Sequence, residues 1–369
     1  MIILRSTPSI LGLVTFATVL LAGCSQGSPA PAASSAAPAT PAATAPAAAP
    51  TPSAFAKGEV RISLVRQLSS GDYFEQWLAG AQAEAKAVGV TLEVSSGEGN
   101  NDKQALNLQQ AINQKASAVI VDHGFAQTIQ PAIKKAVDAD IPVVAFDVDP
   151  GTTEAVTIDQ DDHQIAEQAL SALKKDTGST AKVLYVYVAG FAPLDRRNET
   201  WTQFKKDNPG ITQAAQIGVV NSSTAAAVAD QAKAALQANP DITAIFAPYD
   251  EFAKGAALAV KELGLQSKIK IYGADISTAD IGVMTEAGSP WVATAATDPS
   301  NVGRIAVRAA ALLVAGEQVD HALKVPPALV TQERLRQGGI TNVQQLVQAN
   351  PDLSTPDVAR VPWAAPSAG

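Results

Sequence analysis

The sequence predicts an α/β protein of two doubly wound parallel-sheet lobes in series, on three observations. Continuous β-branched, apolar runs alternate with amphipathic stretches of helical period. The alternation restarts midway, and polar residues gather directly after the apolar runs. Continuous apolar strands joined by helices imply a parallel sheet covered on both faces.

The elements follow in order. Residues 60–65 read as a strand. In 73–88, Phe74, Trp77, Leu78, Ala81 and Ala85 share one helical face. Next come a strand at 90–94, a helix at 103–115, a strand at 118–121, a helix at 127–138 and a strand at 142–146. The rhythm restarts with a helix at 165–175, a strand at 182–188, a helix at 194–207, a strand near 215–219 and a helix at 225–237. A strand at 242–246, a helix at 251–263 and a strand at 268–272 follow. A helix near 278–286, a strand at 291–295 and a long helix at 301–315 complete the pattern. From 342 the pattern loosens into a Pro-, Ala- and Ser-containing end, so 346–369 is expected to be peripheral and partly frayed.

Two segments of another kind precede this body. Arg5, an apolar stretch over 10–20 and small residues after it have the order of a secretory signal over 1–23. The apolar run is about half the roughly 20 residues that a spanning helix needs. Leu21-Ala22-Gly23-Cys24 has the pattern of a bacterial lipobox. Small Ala22 and Gly23 give a peptidase access to the backbone, and the sulfur of Cys24, the single cysteine, can form a thioether to a lipid. The alternative is an ordinary signal that happens to end near a cysteine. Acylation of sulfur and new amino group together gives two-signal anchoring. Residues 24–57 then comprise the lipidated cysteine and an Ala/Pro/Ser tether. The tether has no aromatic residue before Phe55 and too little apolar surface to offset chain entropy. Its prolines make it an extended spacer. The expected location is the bacterial cell envelope, in the periplasm or on the outer face of the cytoplasmic membrane.

The remaining body is long enough for two lobes. A net charge of −8 argues against nucleic acid and against a polybasic membrane patch. With one cysteine, and with His123, His163 and His321 far apart, no metal or cofactor is expected. In an open α/β sheet, ligands collect outside the carboxyl ends of the strands. The polar residues there are Arg66 and Gln67, Asp122-His123-Gly124, Asp147-Val148-Asp149, Tyr249-Asp250-Glu251 and Asp275. Several carboxylates without a basic cluster suit a neutral polyhydroxyl ligand. Helix capping is the competing account for Asp250, Glu251 and Asp275.

Several stretches in order resemble the ribose-binding type of periplasmic sugar-binding protein, the solute receptors of ABC importers. They are 63–65 through 73–74 to 80–82, 141–147, 157–162, 245–251 and 272–275, and the resemblance spans roughly 58–335. It implies the type I periplasmic binding fold, with an N-terminal lobe of 58–160 and 298–323 and a C-terminal lobe of 161–297 and 324–345. Three hinge crossings fall near 160–162, 297–299 and 323–326. The resemblance also implies ligand contacts. Tyr73 and Phe74 stack on a sugar ring. Asp122, Asp147 and Gln160 supply polar contacts from the first lobe. In the second lobe Arg197, with Arg196 as its rival in register, and Asp275 bridge ring hydroxyls.

The chain departs from the family's pattern at Val148, at Tyr249, near Thr297 and at His123, so the site is redrawn away from ribose while a monosaccharide or small polyol remains its expected ligand. His123, Tyr249 and Thr297 join the candidate contacts on that reading. The implied action is capture by hinge closure, in a monomer served by ABC permease and ATPase subunits. A sensory receptor coupled to a membrane sensor is the alternative. A transcription regulator would need a basic helix-turn-helix where the signal segment stands. An enzyme is not expected. Asp147, Asp149, Asp159, Asp161 and Asp162 have no spacing that specifies opposed glycosidase carboxylates or a calcium loop.

Overall fold

A computed structural model describes residues 49–56 and 60–364. The signal segment, Cys24 and most of the tether lie outside the described residues.

A short helix α1 (Ser53–Ala56) leads into β1 (Arg61–Arg66), α2 (Asp72–Val88), β2 (Thr91–Ser96), α3 (Asn101–Asn113), β3 (Ala118–Asp122), α4 (Ala126–Asp138), β4 (Val143–Phe146) and β5 (Val156–Asp159). The second half runs α5 (Asp162–Thr177), β6 (Ala181–Val186), α6 (Ala192–Asp207), β7 (Ile211–Ile217), α7 (Thr224–Ala238), β8 (Ala244–Ala247), α8 (Asp250–Glu262), β9 (Lys270–Ala274), α9 (Thr278–Thr285) and β10 (Trp291–Ala296). The chain then adds α10 (Pro299–Val314), β11 (Ala322–Lys324), β12 (Ala328–Thr331), α11 (Gln332–Gln337) and α12 (Val343–Ala349).

Two six-stranded sheets result, ordered β11-β5-β4-β3-β1-β2 and β12-β10-β9-β8-β6-β7. This is the expected two-lobed α/β architecture, with β12, antiparallel to β10, as the one exception to parallel pairing among the described strands. The chain passes between lobes from β5 to α5, from β10 to α10 and from β11 to β12. β7 begins earlier than the sequence suggested; β5 and β12 are only partly buried and β11 has three residues, so none of them registers as a continuous apolar run.

Local signals set the boundaries that matter for the cleft. Asn100 caps α3 by accepting from the Lys103 N–H at 2.9 Å, and Asp298 caps α10 ahead of Pro299, accepting from the Ser300 N–H at 3.0 Å. Helices α2 and α10 cover the first sheet and approach so closely that glycines are required. A Cβ on Gly80 would lie 1.9 Å from the Ser300 carbonyl, and one on Gly303 would lie 2.1 Å from that of Trp77.

The end of the chain corrects an expectation. Residues 346–364 are not peripheral. Leu346 and Leu353 pack into the core of the C-terminal lobe, whereas Val361 and Trp363 join the N-terminal lobe's core. Trp363 lies 5.2 Å from the ring of Phe55, and the Ala49 N–H donates to the Pro362 carbonyl at 2.8 Å. The tether therefore ends before Phe55. These anchors follow no helical or strand period, so a pattern reading sees only a polar, proline-containing tail.

Candidate functional site

Strand exits from both sheets face each other across a cavity. It is lined by Gln67, Leu68, Tyr73, Phe74, His123 and Gln160 on one side, and by Phe191, Pro193, Leu194, Arg197, Val220, Tyr249 and Asp275 on the other. Three of the exits share an unusual backbone. His123, Asp147 and Asp275, which follow β3, β4 and β9, have φ of 59°, 51° and 67°. This left-handed region is sparsely used outside glycine, with Asp and His among its commoner exceptions. Each still donates its N–H along the sheet, to Phe146, Ile158 and Ala295 at 2.8, 3.0 and 2.9 Å. The turn thus redirects the side chain without leaving a buried donor unpaired. Gly124 extends the turn at φ 122°, where a Cβ would lie 2.4 Å from Gln104 Oε1. The Gln104 amide in turn donates to the carbonyls of Asp122 and His123 at 3.3 and 2.9 Å.

Behind the N-terminal wall, Arg66 is buried at the end of β1. Its Nε donates to Asp122 Oδ2 at 2.8 Å and its Nη2 to the Phe74 carbonyl at 3.0 Å. Its guanidinium sits 5.4 Å from the Phe74 ring centroid. His123 Nδ1 donates to the other Asp122 oxygen at 2.7 Å, leaving Nε2 3.8 Å from Asp147 Oδ2. Burial works to raise the Asp122 pKa, but Arg66 and the His123 N–H outweigh it and hold the group below its ordinary range. Burial likewise opposes the imidazolium of His123, but Asp122 and then Asp147 outweigh it and raise its pKa. Asp122 therefore does not line the cavity. It fixes His123, whose ring packs edge-on to Phe74 at 5.2 Å.

The C-terminal wall turns on Asp162 at the start of α5. Arg197 Nε donates to Asp162 Oδ1 at 2.8 Å, and Arg196 Nε donates to Oδ2 at 2.8 Å. The Arg197 fork then closes on Asp275 at 2.9 and 3.0 Å and reaches the Pro248 carbonyl at 2.8 Å. Arg196 crosses to the other lobe and donates to Asp147 Oδ1 at 2.9 Å. Both candidate arginines are thus engaged, Arg197 inside the cavity and Arg196 at the interlobe bridge. Burial, with Asp162 nearby, pushes the Asp147 carboxyl up to about 7 against the pull of His123 and the arginines.

Gln160 joins the two hinge segments. It donates to Asp147 Oδ2 at 3.3 Å and accepts from the Thr297 hydroxyl at 2.5 Å. Of the ten candidate positions, Tyr73, Phe74, His123, Gln160, Arg197, Tyr249 and Asp275 line the cavity. Asp122, Asp147 and Thr297 stand behind that lining and bond to it.

The sequence reading missed the apolar part of the wall. Leu68, Phe191, Pro193, Leu194 and Val220 line it, and Phe191 meets Phe125 of the other lobe edge-on at 4.9 Å. Gln67 was visible as a strand-exit residue yet was not taken as a contact. Its Oε1 and the Tyr73 hydroxyl are buried without a hydrogen-bond partner among the described residues. The capping account fails for Asp250, which opens α8 without capping it, and for Asp275, since Ser277 caps α9. Among the described residues, no cluster of His, Cys, Asp or Glu has metal-binding geometry, and no helix is long and apolar enough to cross a membrane.

Comparison with known proteins places the chain in a family. Residues 62–318 match the family described as the periplasmic binding protein domain. The ribose import binding protein RbsB of Escherichia coli is 27% identical over 288 residues, which cover 77% of this chain and 94% of that protein. The crystal structure of a 5-methylthioribose transporter solute-binding protein from Thermotoga lettingae, in complex with 5-methylthioribose, is 42% identical with a TM-score of 0.80. It covers 82% of this chain and 96% of its own. The structure of a sugar ABC transporter protein from Yersinia enterocolitica is 31% identical with a TM-score of 0.83, covering 86% and 97%. The chain belongs to the periplasmic binding protein family, as a sugar-binding protein of the ribose type.

Proposed function

We propose that this protein is an exported, lipid-anchored receptor that captures a pentose bearing an apolar substituent between its lobes and delivers it to an ABC permease. The observation that carries the reading is the two-sided chemistry of the cavity. Polar groups of His123, Gln160, Arg197 and Asp275, with the unpartnered atoms of Gln67 and Tyr73, suit sugar hydroxyls. Leu68, Phe191, Leu194 and Val220 offer those hydroxyls nothing and suit an alkyl or thioether group. The ligand of the Thermotoga relative, 5-methylthioribose, has this division between hydroxyls and an apolar end. The lipobox at Cys24 supports anchoring, and closure of two lobes on one ligand supports recognition by a permease.

The energetics favour the substituted sugar over ribose. Burying two apolar heavy atoms contributes about 1.5 kcal/mol. A ribose hydroxyl left unpaired against the same wall costs about 1–3 kcal/mol. Together they give a preference on the order of 100- to 1,000-fold. Calorimetric titration of the full chain with 5-methylthioribose, ribose and a hexose panel tests this. Val220, half-buried in the loop before α7 and packed against both lobes, is the place to probe the wall. Val220→Asn supplies hydrogen-bonding groups there and should narrow the preference by about tenfold. Equal affinity for ribose and 5-methylthioribose in the parent would sink the apolar assignment.

A further inference from the structure

Outside the cavity, a second cluster of charges joins the lobes. Lys254 on α8 donates to Asp72 Oδ2, at the start of α2 in the opposite lobe, at 2.5 Å. The same ammonium donates to Glu251 of its own helix and lies 3.7 Å from Asp280 Oδ1 on α9. Asp250 completes the set. It and Asp280 are fully buried, and none of their carboxyl oxygens has a hydrogen-bond partner among the described residues. The cluster thus holds four acids, Asp72, Asp250, Glu251 and Asp280, around one lysine. Burial first, and then Asp280 beside it, pushes the Asp250 carboxyl well above its ordinary range. Burial also takes Asp280 up to about 6. Burial opposes the Lys254 charge, but Asp250 and Asp280 outweigh it and raise its pKa.

Only Asp72 comes from the N-terminal lobe, so closing the lobes is what brings it to the other three acids. Asp72 and Glu251 share one ammonium, which places their carboxylates within the roughly 4–6 Å over which like charges oppose each other. The two lobes meet at this point. Gly71 (φ 112°) is so near that a Cβ there would lie 3.4 Å from Glu251 Oε1. Tyr249, which lines the cavity, immediately precedes this acidic stretch.

We propose that Lys254 is a positioning residue for ligand capture, an electrostatic clasp without which Asp72 is repelled and the closed form loses population. The proposal rests on the two-lobed capture reading above. Lys254 touches no ligand. It acts on affinity through the fraction of molecules in the binding-competent form, because apparent Kd scales inversely with that fraction. A neutral sugar should therefore bind with an affinity that falls with salt, since closure forms an interlobe ion pair that salt screens.

The test uses the full chain and three variants, Lys254→Met, Asp72→Asn and the double variant. Amide exchange of the ligand-free protein is followed at residues 124–126 and 189–192, the two sides of the Phe125–Phe191 contact and remote from the substitution. The Kd for 5-methylthioribose is followed from low to high salt. Lys254→Met should speed exchange in both segments and raise Kd about tenfold, and the double variant should recover most of both. The parent's salt dependence should be lost in the double variant. If Lys254→Met leaves remote exchange and Kd unchanged, or if removing Asp72 gives no recovery, the clasp is wrong and the lysine serves only α8. If exchange responds as described while no sugar in the panel binds the parent, the clasp stands and the ligand reading falls.

Discussion

Replacing Arg197 with methionine keeps most of the side-chain volume and deletes a buried charge. Arg197 is 2% exposed, and its guanidinium serves Asp162, Asp275 and the Pro248 carbonyl. Burial opposes its charge, but Asp275 and then Asp162 outweigh that and raise its pKa. Asp162 keeps Arg196 in the variant. Asp275 is left without the guanidinium that holds both its oxygens. Removing one partner of a buried pair typically costs about 3–5 kcal/mol, because a buried charge is left uncompensated. The carboxyl can escape by taking a proton, and burial already raises the Asp275 pKa with Arg197 in place.

The sign then follows. A carboxyl whose folded pKa lies above its unfolded value of about 3.9 is penalised at high pH and relieved as pH falls through the folded value. Arg197→Met should lose about 3 kcal/mol at pH 8 and clearly less at pH 5, and adding Asp275→Asn should recover most of the loss at pH 8. Urea unfolding of parent, single and double variants at both pH values measures this. A loss under about 0.5 kcal/mol at pH 8, or one that grows on acidification, would refute the reasoning.

Two further outcomes follow from the same structure. Trp363→Ala should destabilise the body by about 3–5 kcal/mol and open residues 49–56 to protease. Unchanged stability would show that the Phe55–Trp363 contact is incidental. The Asp122–His123 pair should stabilise the fold chiefly between about pH 4 and 6.5. The lowered Asp122 loses its contribution as pH falls through its folded pKa, and the raised His123 loses its own as pH rises through its folded pKa. Thermal unfolding of parent and His123→Gln across pH 4–9 should therefore diverge most in that window, and a pH-independent difference would contradict it.

The legible part of the site was the part that obeys topology. Asp122, Asp147, Tyr249 and Asp275 could be found because a parallel sheet ends its apolar runs where ligands bind. The apolar wall was not legible. Phe191, Leu194 and Val220 are the same residue types that fill the core, and nothing in their spacing tells a cavity from packing. The arginine pair was half legible. Arg196 and Arg197 are successive on α6 and point about 100° apart, yet both meet Asp162 because a carboxylate offers an oxygen to each. Choosing one as the ligand contact and one as its rival missed that they divide the work. The final strap escaped notice because Leu353, Val361 and Trp363 anchor it at irregular intervals and on different lobes.

That division explains how an acidic cleft can be stable and still accept hydroxyls. Asp122, Asp147, Asp162 and Asp275 are each buried, and four unpaired carboxylates there would be prohibitive. Arg66, Arg196 and Arg197 each take a share, and His123 lies between Asp122 and Asp147. A carboxylate oxygen accepts more than one hydrogen bond, so pairing with arginine orients each acid without exhausting it. The Arg196–Asp147 bond joins the two lobes, so part of this neutralisation depends on contact between them. Asp122 is compensated inside its own lobe by Arg66 and His123, whereas Asp147 takes its guanidinium from the C-terminal lobe, so it is this one acid that ties the polar wall to contact between the lobes.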